Sequence, residues 1–113
     1  MIVTITSLRL KRFWGFFKLS WYGFKINKQA RREKGFVKMK NTGFGKLHYT
    51  ISQWQSEDDL KRFARSGAHL KAMKESSQLA SEIITYSFPS ENFPSWGDAK
   101  VRLQENGKRL EFK

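Results

Sequence analysis

Residues Met1 to Leu10 alternate weakly and are rich in Ile, Val and Thr, the pattern of a first strand bounded by the basic cluster Arg9, Lys11 and Arg12. From Phe13 the period changes. Phe13, Phe16, Phe17, Ser20, Trp21 and Phe24 fall at i, i+3, i+4 spacing, while Lys11, Lys18, Tyr22 and Lys25 lie off that stripe. The spacing predicts an amphipathic helix whose aromatic stripe covers a sheet. Gly23 is placed to break it, before a second piece carrying Ile26 and Ala30 that stops at Gly35.

Two strand runs follow, Phe36 to Lys40 and Lys46 to Trp54, separated by Asn41-Thr42-Gly43-Phe44-Gly45, whose Asn and glycines suit a hairpin connection. In the second run Leu47, Tyr49 and Ile51 share one face, and His48, Thr50, Ser52 and Trp54 share the other. That second face is polar yet uncharged, which points to a partly polar cover such as a second sheet from a partner subunit. Ser56 then reads as a helix N-cap, with Glu57, Asp58 and Asp59 complementing the positive helix end. Leu60, Phe63, Ala64 and Gly67 form the inward stripe, Gly67 permitting close approach to the sheet, and Lys61, Arg62 and Arg65 point outward. This helix is expected to loosen near Gly67 and run to about Lys74. Glu82 to Phe88 alternates as a strand ending at Pro89. The run from Pro94 to Ala99 opens a short helix to Gln104, closed by Asn106-Gly107.

The order β, α, β, β, α, β plus a terminal helix predicts an α+β, ferredoxin-like sandwich: a four-stranded antiparallel sheet with both crossover helices on one face. We expect a single domain over 1–113, with the βαββαβ core over about 1–88 and a helical tail over about 89–113. The opposite face of such a sheet would be bare, so a homodimer formed through it is expected.

Composition changes this picture in two ways. The chain has no cysteine, which excludes disulfides, Cys zinc sites and thiol catalysis. It also lacks a transmembrane-length apolar run and the early basic residues of a secretory signal, so the expected location is the cytoplasm. The second change is charge. Of a net charge of +12, +10 sits in residues 1–40, which hold 11 Lys/Arg against the single acid Glu33. Such asymmetry invites an anionic partner, either nucleic acid or an anionic membrane.

Trp54-Gln55-Ser56-Glu57-Asp58, followed by Phe63, Ser66-Gly67-Ala68-His69 and Ala72-Met73, resembles the dimeric α/β-barrel superfamily that includes antibiotic-biosynthesis monooxygenases. Tyr49 to Trp54, the Ser-Gly-Ala-His-x-x-Ala-Met run and Pro94-Ser95-Trp96-x-x-Ala99 are most similar to its spheroidene-monooxygenase-like branch. The likeness spans roughly residues 35–103. It implies a dimeric barrel and a monooxygenase-like activity on a hydrophobic small molecule. The haem-degrading branch of that superfamily has a ligand His where Met73 stands here, a Trp where Phe63 stands, and a first-strand Asn without counterpart between Ile2 and Arg9. These departures argue against haem cleavage of that type. The sequence requires no cofactor and leaves haem binding through other residues open.

The candidate site is a flat aromatic pocket between helices and sheet, bound by Trp14, Trp21, Tyr49, Trp54, Phe63 and Met73, with His69 as the candidate catalytic group. A histidine with an ordinary pKa near 6.5 suits proton transfer at neutral pH. Each residue also has a plainer reading: aromatics at helical spacing are commonly core, and His69 and His48 can serve backbone bonding or an interface. No pair of histidines has metal-ligand spacing, so no metal site is expected. Gly43-x-Gly45 lacks a third glycine and is not a dinucleotide loop. The segment from Arg9 to Lys34, with nine Lys/Arg and seven aromatics, supports a second reading: a non-catalytic module that binds nucleic acid or anionic membrane. Its plainer reading is a core-facing stripe with a solvated basic back, whose charge could also attract an anionic substrate.

Overall fold

The computed structural model describes residues 1–112. Its elements are, in order, β1 (Ile2–Leu10), α1 (Gly15–Arg32), β2 (Phe36–Phe44), β3 (Leu47–Trp54), α2 (Glu57–Ala64), α3 (Gly67–Leu79), β4 (Ala80–Pro89), α4 (Trp96–Asn106) and β5 (Lys108–Glu111). The five strands form one antiparallel sheet in the order β2-β3-β1-β4-β5. The α+β ferredoxin-like arrangement is the one expected, with one strand more. Lys108-Arg109-Leu110-Glu111 joins the free edge of β4. Its residues are all exposed and show no apolar alternation, so no pattern marks it as a strand.

β1 is central and pairs along its length with both β3 and β4, so its two faces set the two sides of the molecule. Val3 and Ile5 share a face with Ile51 and Phe88 and form one core cluster with Ala99 and Leu103 of α4. Ile2 and Trp54 share the other face, where Trp54 clusters with Ala30 of α1, Phe63 of α2 and Met39 of β2. The assignment of faces is thus the reverse of that expected. The polar face of His48, Thr50, Ser52 and Trp54 lies beneath α1 to α3, and the face of Tyr49 and Ile51 is not bare, because α4 of the same chain packs on it.

α1 is one unbroken helix, and Gly23 does not interrupt it. At about 3.6 residues per turn, Gly15, Leu19, Tyr22, Ile26 and Ala30 line up as its inward stripe, with Tyr22 and Ala30 buried. Gly15 sits against Leu10 and Leu79, where an added Cβ would come within 3.2 Å of Leu79. The aromatic stripe expected to cover the sheet faces outward instead. Phe13, Trp14, Phe16, Phe17, Trp21 and Phe24 are 44 to 77% exposed, and Tyr22, set off the stripe in the sequence reading, is the buried ring.

β2 runs on through Phe44, so the hairpin turn is the two-residue Gly45-Lys46, with Gly45 at φ +62°. Asn41 to Phe44 belong to the strand, not the connection. Ser56 caps α2 as expected: its hydroxyl accepts the Asp59 amide at 3.2 Å and donates to Asp59 Oδ2 at 2.9 Å. A cap of this type contributes about 1 kcal/mol. The expected single helix from Ser56 onward is two helices, because the chain turns at Arg65-Ser66 and restarts at Gly67 with φ +57°. Gly67 gives close approach to α1 rather than to the sheet, since a Cβ there would lie 2.8 Å from Gln29 Oε1. α4 begins at Trp96 behind the Ser95 cap, whose hydroxyl accepts the Asp98 amide at 3.2 Å.

Candidate functional site

The corner between β3 and α2 brings Trp54, Phe63 and His69 together. Trp54, the last residue of β3, is fully buried; its ring stacks on Phe63 with centroids 4.8 Å apart and meets Phe36 edge-on at 5.7 Å. Phe63 in turn meets the His69 ring at 4.9 Å. The result is a continuous aromatic column running from sheet to helices. Trp54 Nε1 is buried and, among the described residues, has no acceptor. A buried donor left unmade costs about 1–3 kcal/mol, so this atom marks the place in the column where an acceptor is wanted.

His69 is held at both ends. Its Nδ1 lies 3.0 Å from the Ala64 carbonyl, and its backbone amide donates to Gln29 Oε1 at 3.2 Å. Gln29 Nε2 donates to the Ser66 carbonyl at 3.0 Å, so one α1 side chain ties down the α2–α3 corner. Burial lowers the His69 pKa, opposed by the bond to Ala64. The ring is therefore neutral at pH 7. With Nδ1–H donated to a carbonyl, Nε2 keeps its lone pair. Gln29 was not among the sequence candidates, although a polar residue in register with Ile26 and Ala30 on an inward stripe was the available signal.

A second polar element lies on the same side of the sheet. Thr4, Thr6, Thr50, Ser52, Thr85 and Ser87 all point from the strands toward the helical layer. Thr4 and Ser87 hydroxyls lie 2.5 Å apart, Thr6 and Thr85 3.3 Å, and Thr50 donates to Asn41 Oδ1 at 2.8 Å. Ser52 is buried while Ser87 is exposed, so the row runs from the interior to the surface. It is a floor of neutral hydroxyls, able to meet a ligand oxygen without presenting a charge.

The remaining candidates fall elsewhere. Tyr49 lies on the opposite face of the sheet, beneath the Lys100 ammonium at 4.8 Å. Trp14, Trp21 and Met73 are 66, 57 and 54% exposed and line no common cleft with the column. His48 is a hairpin residue: its Nε2 lies 3.0 Å from the Gly45 carbonyl, its ring meets Phe16 at 5.7 Å, and its side chain fills the space where Gly43 lacks one. Asp59 is more than a helix-end charge. It is buried, paired with Arg62 at 3.0 Å, and packed against Gly35, whose φ is +86°. The Ser56 hydroxyl, assisted by Arg62 and Lys34 and opposed by burial, holds its carboxyl below the usual range. Between α1 and α3 an open groove of about 440 Å³ is lined by Lys18, Trp21, Tyr22, Lys25, Gly67 and Lys71.

No protein-family model matches the chain, and no curated protein matches it by sequence. Solved structures do. Rv0793 from Mycobacterium tuberculosis superposes with a TM-score of 0.71 at 13% identity, over 84% of this chain and 100% of that one. A Nitrosomonas europaea protein, described provisionally as an antibiotic biosynthesis monooxygenase, gives 0.72 at 12% identity, over 81% and 100%. SnoaB, a cofactor-independent oxygenase from Streptomyces nogalater, gives 0.64 at 13% identity, over 81% and 94%. At these identities the likeness is one of fold: the chain has the ferredoxin-like fold of the antibiotic-biosynthesis-monooxygenase-like proteins.

Proposed function

We propose that this chain is a monooxygenase-like protein that takes a planar, hydrophobic phenol or enol between its sheet and helices, against the column of Trp54, Phe63 and His69. The observation that carries the reading is the buried Trp54 Nε1 without an acceptor among the described residues, in a column that ends, beyond Phe63, at a neutral histidine whose Nε2 is left as a base. SnoaB, of the same fold, is a cofactor-independent oxygenase. Oxygenation of that kind needs two things of a protein: removal of a proton from the substrate and stabilisation of the anion that results. In this reading His69 Nε2, at one end of the column, takes the phenolic proton, and Trp54 N–H, beyond Phe63 at the other end, hydrogen-bonds a conjugated carbonyl oxygen of the same planar ligand onto which the negative charge is delocalised. Dioxygen then attacks the electron-rich ring carbon. One oxygen atom stays on carbon as the quinone carbonyl, and the other leaves as water with the two hydrogens lost by the phenol. The hydroxyl floor would orient the polar edge of the ligand.

The test is oxygen uptake with a panel of planar polycyclic phenols, comparing the wild-type protein with Trp54→Phe, which keeps a ring and removes only the N–H. Quinone formation that slows roughly tenfold or more in Trp54→Phe and in His69→Gln supports the reading. Absence of both binding and turnover across the panel, or equal rates for wild type and Trp54→Phe, overturns it.

A further inference from the structure

The outward face of α1 is the largest feature that the proposed pocket does not use. Together with the two residues before the helix it presents, within twelve residues, Phe13, Trp14, Phe16, Phe17, Trp21 and Phe24, all exposed. Soluble chains seldom leave a contiguous ring surface of this kind uncovered, and one rimmed by polar groups marks an interaction site. The rim here is of one sign. No acidic residue precedes Glu33, while Arg12, Lys18, Lys25, Lys28, Arg31 and Arg32 lie along the same segment. Lys25 lies over the Trp21 ring at 4.7 Å and Arg12 over Trp14 at 5.8 Å, so cations are held at the edges of the aromatic patch.

We propose that α1 docks this protein on an anionic lipid bilayer, its phenylalanine and tryptophan rings entering the headgroup–acyl boundary and its lysines and arginines meeting lipid phosphates. Three observations select this occupant. The patch is a helical ridge with rings at its crest, Lys18 and Lys25 along the flank that borders the groove, and Lys28 and Arg31 continuing the crest, a mixture of rings and cations suited to an interfacial helix lying in the plane of a membrane. A second copy of the chain would bring two surfaces of the same strong positive charge together. The groove beside the ridge gathers Lys18, Lys25 and Lys71 around Trp21 and Tyr22, which suits a phosphate headgroup next to inserted rings. Lys18 is partly engaged by Glu75 at 3.7 Å, while Lys25 and Lys71 extend the positive wall of the groove. Among the described residues no helix is long and apolar enough to cross a membrane, so the contact is with the surface. The proposal does not depend on the oxygenase reading.

The experiment is co-sedimentation of the full chain with phosphatidylcholine vesicles and with mixed phosphatidylcholine–phosphatidylserine vesicles, over a series of salt concentrations. The expected result is binding to the mixed vesicles, weakened by salt, with a blue shift of tryptophan emission as Trp14 and Trp21 leave water. The triple change Phe17→Gln, Trp21→Gln, Phe24→Gln should lower vesicle affinity by roughly tenfold or more with a nearly unchanged urea midpoint, because these side chains are more than half exposed and belong to neither core cluster. Lys25→Gln with Lys28→Gln should lower binding to the mixed vesicles and flatten the salt dependence. The proposal is overturned by absence of binding to either vesicle, or by binding that ignores the triple change. It is also overturned by single-stranded DNA binding that depends on these rings without vesicle binding, or by a concentration-dependent dimer in which Trp21 is shielded.

Discussion

Two sets of aromatic rings in this small protein are treated in opposite ways. Trp54 and Phe63 are drawn into a column at the sheet–helix corner and closed off from water, with the partly buried Phe36 edge-on to Trp54. Phe13, Phe16, Phe17, Trp21 and Phe24 stand on the outer side of α1 and the turn before it and stay largely exposed, touched only at their edges by neighbours such as His48 and Lys25. The residue types are the same, so hydrophobicity alone does not decide which set is core. What decides it is which rings lie in register with a second element. Trp54 ends a strand directly beneath Ala30 and Phe63, whereas the α1 rings begin a helix whose other side, Leu19, Tyr22, Ile26 and Ala30, already occupies the sheet.

The largest effect is expected in the column. Phe63→Ala removes the ring that joins Trp54 to His69 and should cost about 3–5 kcal/mol of stability in urea unfolding. A loss comparable to that of a surface substitution would mean that the column is not core. A smaller effect comes from pH. The folded-state pKa of His69 is depressed by burial, so the unfolded chain binds more protons than the folded one once pH falls below about 6.5. Stability is therefore fully present above that value and declines as pH falls toward the folded-state pKa. Asp59, also depressed, adds a second decline below the ordinary carboxylate range, again in the acid direction. In His69→Gln the first decline should vanish and the second remain; a titration of the urea midpoint against pH separates them. The smallest effect belongs to α1, where Phe17→Ala should move stability by no more than about 0.5 kcal/mol.

The same contrast explains what could be read from the chain. The sheet was legible because Met1 to Leu10, though only weakly alternating, is rich in Ile, Val and Thr, Glu82 to Phe88 alternates up to Pro89, and Ser56 has the residues of a cap in the correct order. The column was legible in part, since Trp54 and Phe63 flank that cap and His69 follows at the next turn. The phase of α1 was not. Two apolar stripes share that helix, and the aromatic one is denser between Phe13 and Phe24, so it looks like the inner face. Tyr22, Ile26 and Ala30, spaced by four, carry the inner stripe through to Arg32, but only if the helix passes Gly23 intact. Treating that glycine as a break hid the longer stripe. The sidedness of the sheet failed for a related reason: hydroxyls in β3 suggested a face turned to a partner, when they form a polar floor beneath the chain's own helices. Tyr49 then fell on the far side, beneath α4, and left the pocket.

The outward rings of α1 are open to solvent while Trp54 and Phe63 are closed from it, and acrylamide quenching of single-tryptophan proteins measures this difference. With the other three tryptophans replaced by phenylalanine, a protein keeping Trp21 should be quenched strongly and emit at long wavelength, and one keeping Trp54 should be quenched weakly and emit at short wavelength. Equal protection of Trp21 and Trp54 in the monomer would contradict an outward aromatic face on α1.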